Sequence, residues 1–235
     1  MTPCGRKYSK HSIVERNTEM KRYDFPKSSE SSTLAYTVFV PDEFNKSENI
    51  PLILSLHGAG ERGNGTDELD KATDIGLGRY IKQGTLDIPA IVLCPQCPKD
   101  RVWNQLVFEL HDLLIRISDE YCADKKKITV TGMSMGGFGT WEMVMQFPET
   151  FAAAAPICGG GMAWRTSALK GKPIWAFHGD ADNVVDICNS YDMVNGAKAN
   201  GANVKFTIFN SVQHNSWDIA YLDTNVISWL ISNSL

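Results

Sequence analysis

Residues 128–141 read ITVTGMSMGGFGTW, a β-branched run that passes without a linker into a cluster of glycines around Ser134. An apolar run of this kind, four to eight residues long and rich in Val, Ile and Thr, reads as a strand buried on both faces. The segment after it is compatible with a helix. Gly132-Met133-Ser134-Met135-Gly136 fits G-x-S-x-G, a pattern that arises by chance in about one chain of this length in ten. Its position between a strand and a helix is what gives it weight. A nucleophile elbow needs that context, because the turn strains the backbone at the serine and the small residues on either side let neighbouring segments pass.

Working outward, short apolar runs at 51–58, 89–95, 151–157, 172–179 and 204–209 repeat the strand signal, and 34–41 (LAYTVFVP) reads as a strand paired antiparallel near an edge. Between them, Leu106, Leu110, Leu113, Leu114, Ile117 and Tyr121 follow one helical face, with weaker helical patterns over 67–83, 135–147, 186–199 and 217–233. Alternating strands and helices predict a mostly parallel, doubly wound sheet with helices on both faces, and ligands at the carboxyl ends of the strands. With no repeat or linker, the expected organisation is one domain over 34–235, preceded by an N-terminal arm and first edge strand over 1–33.

Composition limits the function classes. The 235 residues carry 23 basic and 27 acidic side chains, a net charge of −4, which with no basic block argues against nucleic acid as a partner. The three lysines at 125–127 read as a solvated end of an element. No apolar run reaches the roughly 20 residues of a membrane span, and the basic amino terminus lacks the apolar core of a secretory signal, so the cytoplasm is the expected location. Cys94 and Cys97 form C-x-x-C without a second pair at ligand spacing. They are therefore expected as reduced core thiols and not as a zinc site.

A serine hydroxyl needs a base. Of five histidines, His11 falls in the arm, His111 in an amphipathic helix, and His57 and His178 end strands as His-Gly, a position that shapes loops. His214, in FNSVQHNSW after the last strand, can swing over the serine. The base needs an acid to fix its tautomer. HGDADNVVDI at 178–187 offers three: Asp186 is expected to cap the next helix, Asp180 to close an Asx-turn, and Asp182 to reach the base. The order Ser134, Asp182, His214 differs from the chymotrypsin and subtilisin orders. Two backbone donors should hold the oxyanion: Met135, just after the serine, and Ala59 in the HGAG loop, with Gly60 the near alternative.

Together LHGAGERG (56–63), GMSMGG (132–137), HGDADNVV (178–185) and His214 before Trp217 resemble α/β-hydrolase esterases of the phospholipase/carboxylesterase and dienelactone hydrolase type, especially compact esterases related to feruloyl esterases and polyhydroxybutyrate depolymerases. The resemblance covers roughly residues 34–231. It implies an α/β-hydrolase fold with little or no lid and ester hydrolysis through an acyl-enzyme, on short-chain or aryl esters of feruloyl type. A small-molecule ester is the implied partner, and neither a metal nor an organic cofactor is required. The segment CPQCP with Trp103 also resembles that group, which implies that Gln96 and Trp103 lie near the pocket, alongside Gly60. Ser134 replaces the cysteine of true dienelactone hydrolases, which disfavours lactone specialisation. The loop 158–172 either forms a pocket wall through Trp164 or is a glycine-loosened surface loop. Competing activities are an acyl-protein or acyl-CoA thioesterase, a peptidase of the prolyl oligopeptidase type without its propeller, and an inactive hydrolase-fold binding protein.

Overall fold

The structure is a computed structural model and describes residues 20–28, 34–44 and 49–235; most of the arm expected over 1–33 lies outside them. Eight strands form one sheet: β1 (Lys21–Phe25), β2 (Tyr36–Val40), β3 (Leu52–Leu56), β4 (Ile91–Pro95), β5 (Ile128–Met133), β6 (Ala153–Ile157), β7 (Pro173–Gly179) and β8 (Asn203–Phe209). Their spatial order is β1-β2-β4-β3-β5-β6-β7-β8. β2 runs antiparallel to both β1 and β4, and every pair from β4 through β3 to β8 is parallel. The antiparallel strand expected at 34–41 is thus second from the edge.

The strands are apolar on both faces because both are covered. In β3, Leu52, Leu54 and Leu56 point to one side with Leu110, Leu114, Trp141 and Val144, while Ile53 points to the other with Leu77, Ile81, Tyr221 and Leu230. The first face is packed by α2 (Val107–Glu120), α3 (Met135–Gln146) and α4 (Cys188–Ala199). The second is packed by α1 (Leu77–Lys82), α5 (Trp217–Leu222) and α6 (Val226–Ser232). Alternate strand residues therefore enter two separate cores, as the period of two dictates.

Two helical segments are shorter than the sequence pattern predicts. Over 67–83 a 3₁₀ turn at Leu69–Thr73, closed by the Thr73 hydroxyl on Asp70 O at 3.0 Å, precedes α1. Over 217–233 the Thr224 hydroxyl donates to Ala220 O at 2.6 Å and accepts from Val226 N at 3.2 Å, which divides α5 from α6. These side chains compete for backbone groups that a continuous helix would use. Among the described residues, no helix is long and apolar enough to cross a membrane.

Candidate active site

Ser134 sits between β5 and α3 with φ 54°, ψ −119°, a left-handed conformation that a serine adopts only where its surroundings enforce it. The enforcement comes from packing of the turn against β3. A Cβ on Gly136 would stand 2.0 Å from Leu56 O, and one on Gly132 2.5 Å from Gly136 O. The serine is thereby lifted above the sheet at the start of a twelve-residue helix, where free N–H groups and the helix dipole favour negative charge.

His214 lies on the loop between β8 and α5, and its Nε2 accepts from Ser134 Oγ at 2.8 Å. Its Nδ1 donates to Asp182 Oδ2 at 2.7 Å. The other carboxylate oxygen of Asp182 accepts from Val184 N and Val185 N, each at 2.9 Å. Burial opposes ionisation of Asp182, but the bonds from His214, Val184 and Val185 outweigh it and hold the carboxyl below its ordinary value. The structure thus brings together, in one hydrogen-bonded line, three residues separated by 80 positions of sequence. A buried carboxylate, an imidazole and a hydroxyl so arranged can move a proton off the hydroxyl.

Asp180 does not close the expected Asx-turn. Its Oδ1 accepts from Ser211 N at 2.6 Å, tying the Asp182 loop to the His214 loop, and Asp182 itself forms the local turn. Asp186 meets the start of α4 as expected, accepting from Cys188 N at 2.8 Å.

Beside Ser134 is a cavity of about 220 Å³ lined by Gly58, Ala59, Gly60, Glu61, Ile75, Met133, Ser134, Val184, His214 and Trp217. Ala59 and Gly60 occupy the 3₁₀ turn Ala59–Glu61 on its wall. The Arg62 guanidinium donates to Ala59 O at 2.9 Å, so that carbonyl is engaged. Met135 N is the first amide of α3, with no acceptor inside the helix. The Trp217 ring stands perpendicular to that of His214, centroids 5.5 Å apart.

Three residues placed near the pocket from sequence are elsewhere. Gln96 is buried and braces the 61–68 loop, accepting from Gly65 N at 2.9 Å and donating to Glu61 O at 3.3 Å. Trp103 is fully buried behind the wall, its Nε1 donating to His57 O at 2.9 Å. Trp164 is 79% exposed on the 3₁₀ segment Ala163–Leu169 and does not line the cavity. Sequence reasoning missed Glu61, Ile75, Met133 and Val184 as wall residues. Glu61, Met133 and Val184 lie inside the motifs quoted above and Trp217 follows His214 by three residues, whereas Ile75 carried no signal.

The two strand-end histidines are both buried. His57 donates through Nδ1 to Gly58 O at 2.6 Å and accepts from Cys97 N at 3.0 Å through Nε2; burial pushes its imidazole down to about 4. His178 Nε2 faces Val185 O at 2.8 Å and Asp182 Oδ2 at 3.2 Å, and its Nδ1 meets Ser190 Oγ at 2.7 Å. Burial lowers this imidazole as well. Cys94 and Cys97 are free, buried thiols.

The Dienelactone hydrolase family model matches residues 34–217. A solved thermostable esterase is 34% identical with a TM-score of 0.74, covering 92% of this chain and 64% of its own. A mutant of the feruloyl esterase module from Clostridium thermocellum, complexed with sinapinate, is 16% identical with a TM-score of 0.69 over 93% of this chain and 89% of its own. That likeness bears on the fold alone. Among curated proteins, the bifunctional acetylxylan esterase/xylanase XynS20E of Neocallimastix patriciarum is 28% identical over 163 residues, 68% of this chain and 22% of that protein. The chain therefore spans about a fifth of that relative and under two thirds of the thermostable esterase. On the family match and the shared architecture, the chain is an α/β-hydrolase and belongs to the dienelactone hydrolase family.

Proposed function

We propose that the protein hydrolyses carboxylic esters in two steps through an acyl-enzyme on Ser134. Ser134 Oγ attacks the ester carbonyl while His214 Nε2 takes its proton. His214 then returns that proton to the leaving alcohol, and water, deprotonated by the same imidazole, releases the acid. Asp182 keeps the proton on Nδ1 and stabilises the imidazolium. The Ala59 and Met135 amides receive the oxyanion.

The observation that carries this reading is the pair of hydrogen bonds on His214, 2.8 Å to Ser134 Oγ and 2.7 Å to Asp182 Oδ2. The esterases among its relatives support it. The cavity's size and its apolar members Ile75, Met133, Val184 and Trp217 favour short acyl groups or a single aromatic ring over long chains. The five described cysteines are free, which supports a reducing compartment such as the cytoplasm.

A panel of acetyl, butyryl, octanoyl and feruloyl esters, run beside acyl-CoA substrates, tests the proposal. Turnover is expected on the short or aryl oxygen esters and lost in Ser134→Ala. Preference for the thioesters would redirect the reading to a thioesterase. Absence of turnover on every substrate would favour a binding protein.

A further inference from the structure

Cys158 is a buried thiol that the ester mechanism does not use. It follows β6 directly, in a left-handed conformation at φ 40°, with its N–H donating to Phe177 O at 2.9 Å. Its Sγ, a carboxylate oxygen of Asp182 and a ring nitrogen of His214 all lie within 4.8 Å of one another. The nitrogen on the Asp182 side is Nδ1. Against the thiol stands a second polar group, the fully buried Ser216 hydroxyl.

We propose that Cys158, Asp182 and His214 form an inhibitory site for a thiophilic divalent cation, zinc foremost, that switches the ester site off by occupying the space between the imidazole and its carboxylate. The donor set is suited to that ion: one thiolate and one carboxylate balance its two charges, imidazole supplies the third ligand, and a water or the Ser216 hydroxyl can complete a tetrahedron. Bonds of about 2.0 Å to nitrogen and oxygen require those two atoms to separate to roughly 3.3 Å. The observed 2.7 Å therefore has to open by about 0.6 Å.

Proton accounting explains the inhibition. Metal binding releases the Cys158 S–H proton to solvent. The Nδ1 proton of His214 is displaced and reappears on Nε2, so the imidazole stays neutral and no electron changes hands. Nε2 then carries a hydrogen and cannot accept the Ser134 proton, so attack on the ester stops. Without metal the thiol is inert, because it is sealed in the fold.

The effect on turnover rests on the proposed role of His214, whereas occupancy of the site does not, and the test separates them. Zinc at micromolar concentration should inhibit ester hydrolysis, with reversal by EDTA. Cys158→Ala, which removes no group of the ester machinery, should keep its metal-free activity and need at least about tenfold more zinc. Independently, cadmium added to Ser134→Ala should produce an ultraviolet thiolate-to-cadmium band that is missing in Ser134→Ala/Cys158→Ala. Cys158→Ser serves the same purpose if the alanine variant folds poorly. Equal zinc sensitivity in wild type and Cys158 variants, or no cadmium band, overturns the proposal. A cadmium band in a protein that hydrolyses no ester would leave the metal site standing and remove the esterase reading.

Discussion

His178 Nε2 lies 3.2 Å from Asp182 Oδ2, the same carboxylate oxygen that takes the 2.7 Å hydrogen bond from His214. Two acceptors, Val185 O and Asp182 Oδ2, face that nitrogen, so it carries the hydrogen whatever the charge on the ring. Asp182 is thus held between two imidazoles, one facing solvent through the cavity and one sealed in the fold. The inner one fixes where the carboxylate points and takes up part of its charge. His178→Phe should lower kcat by about tenfold or more with little change in KM, as expected for loss of orientation in a general-base system. A variant that folds normally with an unchanged kcat would reduce His178 to a packing residue.

His57 makes stability depend on pH. Its ordinary value of 6.5 falls to about 4 in the fold, so between those values protons bind the unfolded chain and not the native one. Stability from this group is full above 6.5, falls as pH drops from 6.5 to 4, and is constant below, a loss of about 3 kcal/mol in all. Urea midpoints at a series of pH values, compared with His57→Gln, should give a shallower slope in the variant over that window. Parallel slopes would contradict the buried, neutral state.

Two glycines near the serine should respond oppositely to alanine. At Gly136 the new Cβ meets Leu56 O at 2.0 Å, whereas at Gly60 it meets nothing within 4 Å. Gly136→Ala should destabilise the fold by about 2–4 kcal/mol and displace Ser134. Gly60→Ala should fold normally and act on KM, because it protrudes into the cavity. Thermal melts and kinetics of both variants check this, and a stable, active Gly136→Ala would contradict the elbow geometry.

The strands were legible because a sheet covered on both faces requires continuous apolar runs, and each such run became a strand. The convergence of Ser134, Asp182 and His214 was legible for a related reason, since strand ends meet in this topology and a polar loop after the last strand has one histidine. Gln96 and Trp103 follow β4 at the correct end of the sheet, yet they turn inward because loop 61–68 and His57 O present unpaired backbone groups there. Contacts between two loops leave no periodicity in sequence. The same holds for Ile75 and Val184, which reach the cavity only when two distant connections fold over Ser134.

Trp217 bounds the cavity on the His214 side. Trp217→Ala should therefore extend the pocket and raise the ratio of octanoyl to acetyl kcat/KM by about tenfold, the scale set by a few added methylenes in an apolar site. An unchanged ratio would place the acyl chain on another wall.

The most direct test of the central claim is to mix the protein with p-nitrophenyl acetate, quench in acid within the first turnovers, and locate the added mass by peptide mapping. One acetyl group per chain, on Ser134, is the expected result, with none in Ser134→Ala and a slowed appearance in His214→Ala. Steady hydrolysis that survives in Ser134→Ala, or an adduct on another residue, would contradict it.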